Sequence, residues 1–196
     1  MADESCIQLI KDRLIQSRHV VDQILENPQL IDNIQQTVRL CLHTLRAGGT
    51  LYFCGNGGSF ADAQHLAAEL TGRFYQNRRP CRAEALASNP AYLTAVANVL
   101  GYTQIFARYL QGMARKEDIV IFLTTSGRSQ NIVDGMAAAK QMGLQTVLMT
   151  CETPPNTIQE WTDILLAVPS SETPRIQESH KLIGHIICEL IERELS

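Results

Sequence analysis

The run Ala61-Asp-Ala-Gln-His65-Leu-Ala-Ala-Glu69 sets an imidazole and a carboxylate four residues apart. On a helix that spacing puts both on one face, where they can converge on one metal ion or one substrate. Such a pair is also a common surface or core hydrogen bond, so its neighbourhood must decide. Just upstream lies Gly55-Asn56-Gly57-Gly58-Ser59, and one turn downstream lies Arg73, a cation able to neutralise a phosphate or pair with a carboxylate. A second loop of similar kind, Thr124-Thr125-Ser126-Gly127-Arg128-Ser129, occurs later in the chain. Hydroxyls and free amides at a helix start make an anion site, most often for phosphate, although either loop alone could be a tight turn. Two of them favour a phosphorylated small molecule. Neither carries the Gly-Lys-Ser/Thr of a nucleotide-binding P-loop or the G-x-G-x-x-G of a dinucleotide fold.

Near the end of the chain, Gln177 and His185 are eight residues apart, about two helical turns, and so lie near one face. His180 is rotated away from that face and reads as solvated or structural. His185 sits among Ile183, Gly184, Ile186 and Ile187, where a histidine is usually a satisfied core residue, and the pattern alone leaves it unassigned.

The elements that position these residues are legible from hydrophobic period. Ile7, Ile10, Leu14, Val21, Ile24 and Leu25 recur at helical spacing until Asn27-Pro28; a second helix buries Ile31, Ile34, Val38, Cys41, Leu42 and Leu45 and ends at Gly48-Gly49. Two long helices before any strand exceed what one small sheet needs, so their spare apolar surface suggests subunit packing, with folding back on their own domain as the plainer alternative. Short β-rich runs follow at 50–54, 81–86, 118–124, 145–150 and 163–168, mostly separated by helix-length segments. That alternation predicts an α/β domain with a parallel sheet. Asn89-Pro90 marks one helix start, Ser129 and Gly143 bound another helix, and a last helix spans about 174–195. In such sheets ligands bind at the carboxyl ends of the strands, where both loops fall.

Composition narrows the function classes. The 196 residues carry 17 Lys+Arg against 20 Asp+Glu, a formal charge of −3, which leaves no cationic excess for a phosphodiester backbone, so no nucleic-acid partner is expected. Six scattered cysteines, with no C-x-x-C pair, argue against a disulfide scaffold and a zinc ribbon. No apolar stretch reaches the ~20 residues of a membrane span and no signal segment opens the chain, so a reduced, cytoplasmic protein without a membrane partner is expected.

Cys-Gly-Asn-Gly-Gly-Ser (54–59), Asp-Ala-Gln-His-Leu-Ala-Ala-Glu-Leu-Thr-Gly-Arg-Phe (62–74), Thr-Ser-Gly-Arg-Ser (125–129), Val-Pro-Ser (168–170) and Pro-Arg-Ile-Gln-Glu (174–178) resemble, in order along nearly the whole chain, the phosphoheptose isomerases. These sugar-isomerase (SIS) domain enzymes convert sedoheptulose 7-phosphate to glycero-manno-heptose 7-phosphate. The resemblance implies a single SIS domain over 1–196 with a flavodoxin-like three-layer sandwich on a five-stranded parallel sheet. It further implies a homotetramer built partly on the N-terminal helices at about 5–47, active sites between subunits, and one bound zinc per subunit. Carried over by position, the metal ligands are His65, Glu69, Gln177 and His185. The sugar-contacting loop is Asn56, Gly57, Gly58 and Ser59, and the phosphate loop is Thr124, Thr125, Ser126 and Ser129. Glu69 and His185 have the chemistry of a base and its acid/base partner for enediol proton transfer.

Three positions depart from the family pattern. Asn98-Val99 stands where Asn-Asp is common, Arg128 where asparagine is usual, and Cys151-Glu-Thr-Pro-Pro-Asn156 replaces a glycine-rich loop. They bear on which sugar is bound more than on the reaction class. Two alternatives follow: an isomerase of another sugar phosphate, or a non-catalytic relative that binds a replication initiator as a tetramer. Relatives of the latter kind typically lack the glutamate and the final histidine, both of which are here.

Overall fold

A computed structural model describes residues 2–196, with side chains from Glu4 onward. Two helices, α1 (Ala2–Leu25) and α2 (Pro28–Arg46), precede the first strand. Asn27 caps α2, its Oδ1 accepting from the Leu30 amide at 3.0 Å, with Pro28 filling a first-turn position that needs no N–H donor. The helix stops at Ala47, and Gly48 takes the positive φ of a C-terminal turn. The buried stripe of α2 is Leu30, Ile34, Val38, Cys41 and Leu42. Ile31, expected in that stripe, is instead 45% exposed, because the helix presents its predecessor Leu30 to the core.

The strands are β1 (Leu51–Gly55), β2 (Ala83–Ala85), β3 (Ile119–Leu123), β4 (Gln145–Thr150) and β5 (Ile164–Ala167), all parallel and in the order β2-β1-β3-β4-β5. Four of the five are shorter at one or both ends than their apolar runs. The flanking residues of the runs instead make turns, as Asp118 does by accepting the Thr50 and Arg115 amides, each at 2.7 Å. Between the strands lie α3 (Gly58–Thr71), α4 (Pro90–Val99), a 3-10 turn at Tyr102–Gln104, α5 (Ile105–Met113), α6 (Gln130–Gln141) and the short α7 (Asn156–Gln159); α8 (Thr173–Leu195) closes the chain. α7 and the break between α4 and α5 left no periodic signal, each being too short to show one.

Strand residues alternate between two cores, which makes three layers. Leu51, Phe53, Ile119, Ile121, Val147 and Met149 pack with residues of α2, α3 and α8. Tyr52, Cys54, Val120, Phe122 and Leu148 pack on the other side with residues of α5 and α6. The direction in which successive strands are added across the sheet reverses between β1 and β3, so the loops leaving these two parallel neighbours open a crevice at their carboxyl ends. Five cysteines are buried as small apolar groups, and Cys6 is exposed.

His180 is structural. It is fully buried on α8, its Nε2 is 3.5 Å from the Thr150 carbonyl oxygen, and its Nδ1 has no partner among the described residues. Burial pushes its pKa down from 6.5 to about 4, the Thr150 carbonyl opposing only in part. The unfolded chain therefore takes up a proton near pH 6.5 that the folded chain refuses until about 4. This contribution to stability is complete above pH 6.5 and is lost as pH falls through that window, by roughly 3 kcal/mol at 1.36 kcal/mol per unit. His180→Leu is expected to flatten this part of the profile. Urea midpoints measured from pH 7.5 to 4 will drop more steeply in the parent than in the variant; parallel curves refute the assignment.

Candidate active site

The helices α3 and α8 cross at Leu66 and Gly184, a contact so close that a Cβ on Gly184 would stand 2.6 Å from a Leu66 methyl. The next residue along α8 is His185, and the residue before Leu66 on α3 is His65, so the crossing brings the two imidazoles together with their planes tilted by 53°. Their Nε2 atoms are 2.8 Å apart and their ring centroids 5.0 Å. Glu69, one turn along α3, brings Oε1 to 3.3 Å from His65 Nε2. One ligand atom from each of His65, Glu69 and His185 lies within 4.8 Å of the others. All three side chains are half-buried.

At 2.8 Å one imidazole must donate and the other accept, so one N–H proton lies between the two rings. Burial first, then the neighbouring His65, hold the His185 pKa below its ordinary value, with Glu69 pulling the other way. His185 is thus neutral at pH 7, the form that accepts a proton or binds a metal. Two imidazole nitrogens and a carboxylate, with room for one more ligand, are the donor set of an open zinc site. Lys181 and Asp62, paired at 3.3 Å, tie the same two helices together.

Gln177 comes from the start of α8 to the start of α3. A Cβ on Gly58 would meet its Nε2 at 2.5 Å, so only glycine lets the carboxamide lie there. Among the described residues it has no hydrogen bond to the histidine and glutamate cluster. Ser59 is buried at the helix start. Asn56 joins the two loops: its carboxamide exchanges two 2.8 Å hydrogen bonds with Asn131 and accepts a third from the Tyr102 hydroxyl at 3.0 Å. Sequence reading missed Asn131 and Tyr102. Only the position of Asn131, two residues past Ser129 at a helix start, could have pointed to it.

In the second loop Thr124 is buried and its Oγ1 accepts the Gly127 amide at 3.2 Å; Ser126 Oγ accepts the Arg128 amide at 3.2 Å. Gly127 adopts φ +64°, and Pro154 and Pro155 press on it from the loop after β4, so this departure from the family pattern serves as a wall of the hydroxyl loop. Ser129 precedes α6 with its hydroxyl making no cap hydrogen bond to the helix amides, and Thr125 and Ser126 add hydroxyls in the same loop. Arg73 and Asn98 are exposed, with no ion pair or side-chain hydrogen bond among the described residues. Val99 is 75% exposed at the end of α4.

A parallel sheet of this order, with hydroxyl and glycine loops at the switch point, defines a doubly wound α/β protein with its ligand crevice at the strand ends, and the SIS-domain family model matches residues 16–151. The chain is 44% identical over 176 residues to the phosphoheptose isomerase of Akkermansia muciniphila, covering 90% of this chain and 93% of that one. It is 42% identical over 186 residues to the enzyme of Sulfurimonas denitrificans, covering 95% of each. The solved structure of the Neisseria gonorrhoeae phosphoheptose isomerase superposes with a TM-score of 0.89 at 30% identity, covering 96% of this chain and 99% of that one. For the Francisella tularensis enzyme the TM-score is 0.90 at 31% identity, with 96% and 98% covered. The chain belongs to the phosphoheptose isomerase family of SIS-domain proteins.

Proposed function

We propose that this protein isomerises sedoheptulose 7-phosphate to D-glycero-D-manno-heptose 7-phosphate, for synthesis of the bacterial heptose precursors of lipopolysaccharide, capsule or S-layer. The observation that carries the proposal is the apposition of Glu69 with His65 and His185, in a chain over 40% identical to enzymes of that name.

The reaction moves a proton from C1 of the ketose to C2 of the aldose. Glu69, as carboxylate, takes the C1 proton, leaving an enediolate with its charge on the C2 oxygen, and neutral His185 accepts the O1 proton and passes it to that oxygen. Glu69 then returns its proton to C2 as the C1 aldehyde forms, so both groups end as they began. The loop of Thr124, Thr125, Ser126 and Ser129 holds the phosphate away from the reacting carbons, and Asn56, Gly57, Gly58 and Ser59 line the sugar, which converts binding into orientation. Arg73, Arg128 and Asn98, all exposed, would supply further substrate contacts.

His65, Glu69 and His185, with Gln177 completing the set, would hold one zinc ion, which when bound supplies a Lewis acid for the sugar oxygens. A carboxylate has two oxygens, so Glu69 can serve as ligand through one and base through the other. Glutamine is an uncommon zinc ligand, which makes the ion weakly held.

The whole chain acts as one SIS unit within a homotetramer, α1 and α2 forming part of the contact. Support comes from Ile10, Leu14 and Leu25 on α1 and from Leu182, Ile186 and Leu190 on α8, all at least 36% exposed, an apolar face suited to a second copy. A cytoplasmic location accords with six free cysteines and with the lack, among the described residues, of any helix long and apolar enough to cross a membrane.

Two outcomes follow. Glu69→Gln and His185→Ala are each expected to lower kcat on sedoheptulose 7-phosphate by at least ~10³-fold while the assembly, followed by sedimentation, stays intact. Turnover near the parent rate in either variant refutes the assigned roles. After saturation and desalting, mass spectrometry is expected to find up to one zinc per chain, removed by chelator and absent from His65→Ala; equal zinc in that variant refutes the site.

A further inference from the structure

The buried carboxylate of Glu192, seven residues and about two turns beyond His185 on the same face of α8, belongs to no part of the mechanism above. It is 1% exposed, and it accepts three successive main-chain amides, from Phe74 at 3.0 Å, Tyr75 at 2.6 Å and Gln76 at 3.0 Å. The guanidinium of Arg78 lies against it, Nε to Oε1 at 3.3 Å, with both side chains almost fully buried. Burial alone would raise the carboxyl pKa; the three amides and Arg78 outweigh it and hold Glu192 ionised below the usual range.

Two partners of Glu192, Arg78 and Phe74, lead to residues of the active site. Arg78 donates Nη2 to the Glu69 carbonyl at 3.1 Å and Nη1 to the Leu70 carbonyl at 2.9 Å, closing the last turn of α3 at the residue that carries the proposed base. Phe74, fixed through its amide, lays its ring 5.5 Å from the His185 ring, tilted 42°. One anion therefore holds the backbone of Glu69 through a cation and one face of His185 through an aromatic ring.

Resting on the isomerase reading above, we infer that Glu192 is a positioning residue for the acid/base pair, acting through Arg78 on Glu69 and through Phe74 on His185. The phosphate loop lies on the β3–α6 side and shares none of these contacts. Loss of Glu192 thus affects the chemical step and leaves substrate binding in place.

The test is steady-state kinetics on sedoheptulose 7-phosphate, with kcat expressed per folded chain from circular dichroism. Glu192→Gln keeps the shape but removes the charge and one acceptor; Arg78→Lys keeps the charge beside Glu192 but lacks the fork that spans two carbonyls, so it reports even where Glu192→Gln folds poorly. Both are expected to lower kcat by ~10–100-fold with KM within about threefold of the parent, the size of a sub-ångström to 1 Å misplacement. Glu192→Asp, which keeps the carboxylate, is expected to recover most of that loss. If activity falls only in step with the folded fraction, or KM rises at unchanged kcat, Glu192 is not a positioning residue. An inactive parent would instead overturn the isomerase reading, so the two failures are told apart.

Discussion

The close crossing of α3 and α8 at Leu66 and Gly184 is the constraint from which the site follows. With hydrogen in place of a side chain at 184 the two helix backbones approach until a methyl group would not fit between them. The residues flanking that contact, His65 and His185, are then forced into hydrogen-bond range, and Glu69 reaches them from the next turn. Neither helix alone carries a site. The cluster exists because two elements, separated by most of the sheet in sequence, share one point of contact, with Lys181–Asp62 on one flank and Arg78–Glu192 on the other.

The sheet supplies the second half of the design. Reversal of strand order between β1 and β3 leaves their two exit loops adjacent, and the paired carboxamides of Asn56 and Asn131 bind one loop to the other. A chain of net charge −3 gains no general attraction for an anionic sugar phosphate. On the proposed reading, recognition falls to local groups: loop amides, the hydroxyls of Thr124 to Ser129, and a few cations such as the exposed Arg128. Charge would then be neutralised at the phosphate, away from the carbons whose protons move.

The parallel α/β architecture, both strand-exit loops and the His65/Glu69 pair were legible because each is written within a few consecutive residues, as a period or a spacing. His185 was not legible from pattern alone. Its apolar neighbours are those of any buried histidine, and only the resemblance, and then the crossing partner on α3, gave it a role. Glu192 and Asn131 escaped for the same reason: their partners lie more than 70 residues away. The glycine at 184 reads as a neutral helix residue until the opposing leucine is seen. The exposed Ile31 and the buried His180 show the complementary limit, since helical period places a side chain only to within about 100° and cannot say which edge of a stripe faces the core.

Hydrogen isotope tracing tests the central claim, proton transfer through an enediol by a base on α3, most directly. With sedoheptulose 7-phosphate in deuterium oxide, the proton held on half-buried Glu69 exchanges with solvent before it returns to carbon, so nuclear magnetic resonance of the heptose product is predicted to show solvent deuterium at C2. Glu69→Gln should leave the C1 hydrogens of recovered substrate unexchanged. Product formed without deuterium at C2, or exchange persisting undiminished in Glu69→Gln, would contradict the account.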